Sequence, residues 1–189
     1  MVNLRHQAMS APETQRGSRA DRLRGAISEH YELVWRVLRR LGVSESLVED
    51  AAQQVLIVFA NRIDDIRIGA ERAFMVATAT RVAADFRRKR TRSREELDPE
   101  LLGALSSPAP LADEQIDRAR ARRLLDLVLD EMPTELRTIF VLFELEGMTM
   151  AAIAEVLNLR AGTVASRLRR ARAIFEMAAS KFSNFGQQQ

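Results

Sequence analysis

Apolar side chains recur at intervals of three and four residues along most of this chain, and this spacing is the strongest constraint on its fold. The first such set is Ile27, Tyr31, Val34, Trp35, Leu38 and Leu41. This is the pattern of one buried helix face, and it returns in at least four later segments. No segment alternates apolar and polar residues with the period of two that a half-buried strand requires. We therefore predict an all-α fold.

Breaks in the helical pattern predict two small helical domains joined by a flexible linker. Residues 1–20 are polar and lack any period, which is typical of a disordered tail. Pro99, Pro108 and Pro110 interrupt any long helix. The predicted segments are a tail at 1–20, a three- or four-helix bundle at 21–90, a linker at 91–115, a second helical domain at 116–180 and a polar tail at 181–189. We expect the two domains to move independently.

Composition and motif content argue against an enzyme, a cofactor and a metal site. The chain has no cysteine, so it has neither a disulfide framework nor a thiolate zinc site. Its two histidines, His6 and His30, lack a motif partner. No glycine-rich phosphate loop and no nucleophile–histidine pair is present. The aspartates that could suggest an acidic centre match no ligand spacing: Asp50, Asp64, Asp65 and Asp85.

Hydropathy predicts a cytoplasmic protein with no membrane insertion. A membrane-spanning helix needs roughly 20 consecutive apolar residues, and no run of that kind occurs. The N-terminus also lacks the apolar core of a secretion signal.

The basic residues are concentrated on two predicted helices. All but Lys89 and Lys181 of the 29 basic residues are arginine. Seven of them lie between Arg81 and Arg94 with a single acid, Asp85. The stretch from residue 158 to 175 holds five arginines and no acid. A solvated helix face usually mixes both signs of charge, so this stretch indicates a polyanionic partner.

The spacing around that stretch predicts a helix-turn-helix. Thr149 can cap a short helix that carries Ile153 and Leu157, and Asn158 tolerates the left-handed turn that follows. A second helix then places Val164 and Leu168 toward a shared core, which leaves its arginines exposed for the major groove. Arginine suits this role because its planar guanidinium group can donate two parallel hydrogen bonds to a phosphate or to the edge of a guanine. The alternative is an ordinary helical hairpin, which predicts a mixed-charge outer face.

The segment LDEMPTELRTIFVLFELEGMTMAAIAEVLNLRAGTVASRLRRAR resembles region 4 of extracytoplasmic-function (ECF) RNA polymerase sigma factors. Two earlier segments, VEDAAQQVLIVFANR and RAFMVATATRVAADFRRKRTR, resemble region 2 less sharply. The resemblance implies two helical domains: region 2 binds the polymerase clamp helices and the −10 element, and region 4 binds the −35 element as a helix-turn-helix.

The resemblance also implies partners and residue roles. The partners are core RNA polymerase, through the clamp helices of its largest subunit, promoter DNA and an anti-sigma factor. The implied polymerase contacts are Asp50, Gln53 and Gln54. The implied −10 contacts are Arg81, Asp85, Arg87 and Arg88. The implied −35 contacts are Arg160, Thr163, Ser166, Arg167, Arg169 and Arg170.

Two other functions remain open. A stand-alone helix-turn-helix regulator would account for residues 116–178 but would leave the basic end of the first bundle unexplained. A sigma mimic that sequesters an anti-sigma factor would need the fold but not the arginines. In vitro transcription with core polymerase separates both alternatives from an alternative sigma factor.

Overall fold

The structure is a computed structural model that describes residues 11–96 and 113–186. All regular structure in these two ranges is helical, which confirms the predicted fold class. Helices α1 to α7 span Ala11–Arg40, Val48–Arg62, Glu71–Glu96, Asp113–Asp130, Thr134–Phe140, Met150–Leu157 and Ala161–Gly186. A 3-10 turn at Ile63–Asp65 follows α2, and a π-helical turn at Val141–Leu145 extends α5.

Helices α1, α2 and α3 form one bundle around an apolar core. Val34 and Leu38 of α1, Phe59 of α2 and Met75 of α3 are all fully buried, at positions of the apolar period that predicted these helices. Val58, next to Phe59 on α2, is 41% exposed. One residue turns a helix by about 100°, so burying Phe59 rotates its neighbour toward solvent.

The first helix begins earlier than the sequence predicted. Residues 11–20 belong to α1 rather than to a disordered tail, and residues 1–10 lie outside the described residues. Arg22 anchors this part of the helix: its Nε lies 2.7 Å from the Glu71 carboxylate, and its Nη atoms donate to the carbonyls of Ile63 and Ile66 at 3.0 and 2.6 Å. Such long-range polar contacts leave no periodic signal in the sequence.

Gly42 lies in the turn that follows the end of α1. It adopts a left-handed φ of +93°, and the N–H of Val43 donates back to the Leu38 carbonyl at 3.1 Å. No serine side chain caps α2. Ser44 and Ser46 lie 3.2 Å apart, hydroxyl to hydroxyl, and the residue before α2 makes no side-chain cap.

Helices α4 to α7 form the second bundle. Ile139 of α5 and Val164 and Leu168 of α7 are buried in its core. The rings of Phe140 and Phe175 stack with centroids 4.8 Å apart. Helix α7 extends to Gly186, so residues 181–186 are helical instead of forming a tail, and residues 187–189 lie outside the described residues.

The two bundles pack against each other in this structure. Helix α6 contacts α3, and the π-helical turn contacts α1. The buried apolar residues of both bundles belong to one continuous cluster. Helix α3 runs into the predicted linker as far as Glu96, α4 begins at Asp113, and residues 97–112 lie outside the described residues. The Arg137 Nε also donates a 2.6 Å hydrogen bond to the Arg40 carbonyl across the boundary between the bundles. Independent movement of the two domains stays a prediction.

Candidate nucleic-acid interface

The turn between α6 and α7 has the geometry that its sequence predicted. The Thr149 side chain accepts a 3.2 Å hydrogen bond from the Ala152 N–H and caps α6. Asn158 ends that helix in the left-handed conformation, with φ 51° and ψ 50°. The next N–H, that of Leu159, donates to the Ala154 carbonyl at 2.8 Å. These contacts set the angle at which α7 leaves the turn.

Helix α7 divides into a buried face and a cationic face. Val164, Leu168 and Ala171 are at most 4% exposed, so the outer face is fixed by core packing. Arg160, Arg169 and Arg170 are exposed, and none of the three forms an ion pair or side-chain hydrogen bond with any described residue. Two further predicted −35 contacts lie beside them: Thr163 is half-buried, and the exposed Ser166 donates its hydroxyl proton to the Thr163 carbonyl at 3.0 Å.

Two other arginines of α7 already have acidic partners, which corrects the expectation that a separate molecule supplies all the counter-charge. Arg167 lies 3.0 Å from the carboxylate of Glu135. Arg172 lies 2.6 Å from Glu144 and over the ring of Phe143. Glu135 lies in α5 and Glu144 in the π-helical turn that extends it, so a count of charges along α7 alone could not find them.

The four predicted −10 residues on α3 do not share one environment. Arg81 and Arg88 are exposed, and Arg88 pairs with the exposed Asp85 one turn earlier. Arg87 is instead half-buried beside Gly42, at the boundary between the two bundles. Burial lowers the pKa of Arg87, and the nearby positive charge of Arg137 lowers it further.

The predicted polymerase contacts lie together on the outer face of α2. Asp50, Gln53 and Gln54 are exposed, and their side chains form no hydrogen bond or ion pair with any other described residue. Ile57, one turn further along, is 59% exposed. The positions 50, 53, 54 and 57 share one helix face, so this face combines polar groups with an exposed branched apolar side chain. Ile57 was not among the polymerase contacts predicted from the sequence, although its position three residues after Gln54 places it on the same helix face.

The described residues contain neither a candidate metal site nor a candidate membrane span. They contain no group of three His, Cys, Asp or Glu side chains that could hold a metal ion. No helix among them is both long and apolar enough to cross a membrane.

Two protein-family models match this chain, one in each helical bundle. The model of sigma-70 region 2 matches residues 26–93, and the model of sigma-70 region 4 matches residues 122–174. The chain is also similar to the ECF RNA polymerase sigma factor SigE of Mycolicibacterium smegmatis, at 27% identity over 146 residues. This chain belongs to the ECF subfamily of the sigma-70 family. That alignment covers 77% of this chain and 57% of the relative, so the chain spans little more than half of the curated relative's length.

Two solved structures share the fold of this ECF chain at lower identity. CnrH in complex with the cytosolic domain of CnrY is 20% identical, with a TM-score of 0.62 over 86% of this chain and 95% of that one. The sigma factor RpoE in complex with the anti-sigma factor NepR from Bartonella quintana is 18% identical. Its TM-score is also 0.62, over 83% of this chain and 96% of that one.

The matched regions contain every site residue that the ECF resemblance implied. Region 2 holds the outer face of α2 and the cationic part of α3, and region 4 holds the helix-turn-helix. Sequence reasoning missed Glu135 and Glu144, which neutralise part of α7, and Arg137, which lies in the contact between regions 2 and 4. None of the three has a motif of its own, because its role depends on a partner elsewhere in the fold.

Proposed function

We propose that this protein is an alternative sigma factor, a non-catalytic cytoplasmic subunit that binds core RNA polymerase and directs it to promoters. The observation that carries the proposal concerns three exposed arginines at the start of α7 and along it, Arg160, Arg169 and Arg170. None of them forms an ion pair or side-chain hydrogen bond with a described residue. The apolar face of α7 is buried in the core, and its arginines face outward. A helix of this kind can bind in the major groove of DNA.

In this proposal region 4 reads the −35 element. Arg160 directly precedes α7 and bonds a phosphate. Arg169 and Arg170 lie about two and a half turns further along, where they bond base edges in the groove. Ser166 and Thr163 lie on the same side of the helix. Arg167 takes part only if it leaves Glu135, an exchange that is cheap because exposed ion pairs are worth about 0–1 kcal/mol.

Region 2 supplies the other two interfaces. Arg81, Asp85 and Arg88 lie on the exposed side of α3 and face the −10 DNA, and Arg87 joins them once regions 2 and 4 separate. The polar and apolar face of α2 formed by Asp50, Gln53, Gln54 and Ile57 binds the clamp helices of the largest polymerase subunit. An exposed branched apolar residue surrounded by polar groups is typical of a protein interface.

We also propose an anti-sigma factor as a partner, because one of the structurally similar proteins is a sigma factor bound to an anti-sigma factor. The two-region architecture gives such a partner separate surfaces to occupy at once.

The test is transcription in vitro with purified core polymerase and a library of promoter fragments. An alternative sigma factor makes the polymerase initiate from a subset of the library that shares −35 and −10 sequences. A stand-alone regulator binds DNA without polymerase and adds no initiation. A sigma mimic binds neither DNA nor polymerase productively.

A further inference from the structure

A cleft on the surface of region 2 brings together the only tryptophan and the only tyrosine of the chain. It lies between α1 and the start of α2 and has a volume of about 330 Å³. Its lining consists of Tyr31, Glu32, Trp35 and Arg36 of α1 and Glu49 of α2. Pockets that bind small molecules have volumes of about 300–1,000 Å³, so this cleft has room for a small ligand.

The two aromatic side chains converge on one carboxylate. The Tyr31 hydroxyl donates a 2.6 Å hydrogen bond to Oε2 of Glu49, and the Trp35 indole N–H donates a 3.1 Å hydrogen bond to Oε1. These bonds hold both rings beside the carboxylate. The hydrogen bond to Glu49, with burial as a smaller cause, raises the pKa of Tyr31. The hydroxyl therefore stays a donor at neutral pH.

The negative charge of Glu49 is not compensated by these contacts. Neither donor is charged, and Glu49 forms no ion pair with any side chain that the structure describes. Arg36 also lines the cleft, but its guanidinium lies 3.2 Å from Glu146 and 3.8 Å from Glu32. A carboxylate has about four lone-pair sites, so each oxygen of Glu49 can accept a further hydrogen bond.

The chemistry of this cleft is complementary to an organic cation. An aromatic face attracts a cation that lies within about 6 Å of the ring centroid. A carboxylate beside the rings adds an ion pair and charge-assisted hydrogen bonds. A metal ion such as Ca²⁺ or Mg²⁺ fits less well, because it needs about six oxygen ligands and the rings supply none.

The segments of the chain outside the described residues do not supply this cation. Residues 97–112 and 187–189 contain no Lys or Arg, and residues 1–10 contain only Arg5. The residues from Arg5 to Ala11 reach at most roughly 22 Å when fully extended. Tyr31 lies about 30 Å along α1 from Ala11, so Arg5 falls short. This favours a cation from another molecule.

We propose that the cleft formed by Tyr31, Trp35 and Glu49 binds a free small organic cation, with a compact ammonium or guanidinium group on a short apolar body. Glu49 lies one turn before Gln53 on α2, so the site borders the face that we propose for core polymerase. A bound cation should therefore compete with polymerase. That consequence rests on the proposed function, whereas cation binding by the free chain does not.

Trp35 makes the site directly observable, because it is the sole tryptophan of the chain. Its emission is followed while the full chain is titrated at constant ionic strength with choline or butylguanidinium. Parallel titrations use the neutral isosteres, which are butylurea and the analogue of choline with carbon in place of nitrogen. We expect a saturable change with at least one cation, at a roughly millimolar Kd. Its neutral isostere should bind at least about threefold more weakly.

Variants separate the contributions of the charge and the rings. Glu49→Gln keeps the shape, removes the charge and should raise the Kd by at least about threefold. Tyr31→Leu removes one ring, keeps the carboxylate and should raise the Kd by about two- to fivefold. Glu155→Gln, a control on the exposed surface of α6, removes an equal charge and should leave the Kd unchanged. Thermal melting checks that each variant is folded. If Glu49→Gln does not fold, Tyr31→Leu and the neutral isosteres decide.

The remaining outcomes separate the cation site from the sigma function. The absence of a saturable change, equal binding of a cation and its neutral isostere, or an unchanged Kd in folded Glu49→Gln would each overturn the site. If no free cation binds while Glu49→Gln weakens binding to core polymerase, a polymerase side chain occupies the cleft and the free-ligand inference is wrong. If a cation binds as expected but the wild type does not bind polymerase, the site stands and the proposed function fails.

Discussion

Arg167 on the recognition helix lies 3.0 Å from Glu135, an acid of α5. This ion pair divides the arginines of α7 by environment rather than by position in the sequence. Glu135 neutralises Arg167, whereas Arg160, Arg169 and Arg170 have no acidic partner in the part of the chain that the structure describes. Predictions about DNA binding therefore differ for arginines that look equivalent in the sequence.

Arg160→Ala should behave as the loss of a phosphate contact. It should weaken binding to all promoter sequences alike and reduce the slope of log affinity against log salt by about one unit. The measurement is promoter binding by the holoenzyme over a salt series. Arg172→Ala is the matched control, since Glu144 already neutralises that guanidinium, and its slope should equal that of the wild type.

At least one of Arg169→Ala and Arg170→Ala should behave as the loss of a base contact. Removing a base-reading arginine costs roughly 1–3 kcal/mol of discrimination at one base pair. Selection from a library of variant −35 sequences would reveal the relaxed position. If neither variant nor Arg160→Ala alters affinity, selectivity or salt slope, the cationic face does not bind DNA and a sigma mimic becomes the better explanation.

Substitutions on the outer face of α2 should remove polymerase binding without destabilising the fold. Replacing Asp50, Gln53 and Gln54 together with Ala should abolish binding to core polymerase. Each substitution should change the free energy of unfolding by under about 0.5 kcal/mol, because all three side chains are exposed. Co-purification with core polymerase and thermal melting test the two halves. The control replaces the exposed Glu29 and Glu32 of α1, and a large fall in melting temperature for the triple variant would contradict its surface placement.

Because Asn158 adopts a left-handed conformation, glycine should be more stabilising than alanine at this position, the reverse of their order inside a helix. Asn158→Ala should destabilise the fold by about 1 kcal/mol, because a Cβ without a compensating polar group disfavours φ near +51°. Asn158→Gly should be close to neutral, because glycine adopts this conformation readily. Denaturant unfolding of both variants measures the difference, and equal stability of the two would contradict the assigned turn.

Asp126 should make stability depend on pH with a defined sign. Burial raises the pKa of Asp126, although Arg39 and Arg137 partly offset this. Ionisation of a carboxyl with a raised pKa disfavours the folded state, so the penalty is present above the folded pKa and vanishes below the unfolded pKa. Asp126→Asn should therefore be more stable than the wild type at neutral pH. The difference should shrink as the pH falls toward the unfolded value, and a constant difference across that range would contradict the shift.

Apolar periodicity in the sequence predicted the helices but could not predict the contacts between helices. The stripe of Val164 and Leu168 placed the buried face of α7 correctly, because helix periodicity reports burial directly. The hydrogen bond from Arg137 to Arg40 joins residues 97 positions apart, and no period in the sequence carries that information. The same reason explains why Arg87 was expected on an open surface and is half-buried.

The anchoring of α1 by Arg19 and Arg22 affects where this protein can be cut. Arg19 pairs with Asp64 at 2.9 Å. Arg22 binds Glu71 and the carbonyls of Ile63, which begins the 3-10 turn, and Ile66, which follows it. A fragment that begins at residue 26, where the match to region 2 begins, keeps the apolar core but loses both arginines. Its Glu71 carboxylate would then have no guanidinium to bind, and the segment between α2 and α3 would lose its attachment to α1. A fragment meant to represent isolated region 2 should begin at or before residue 18.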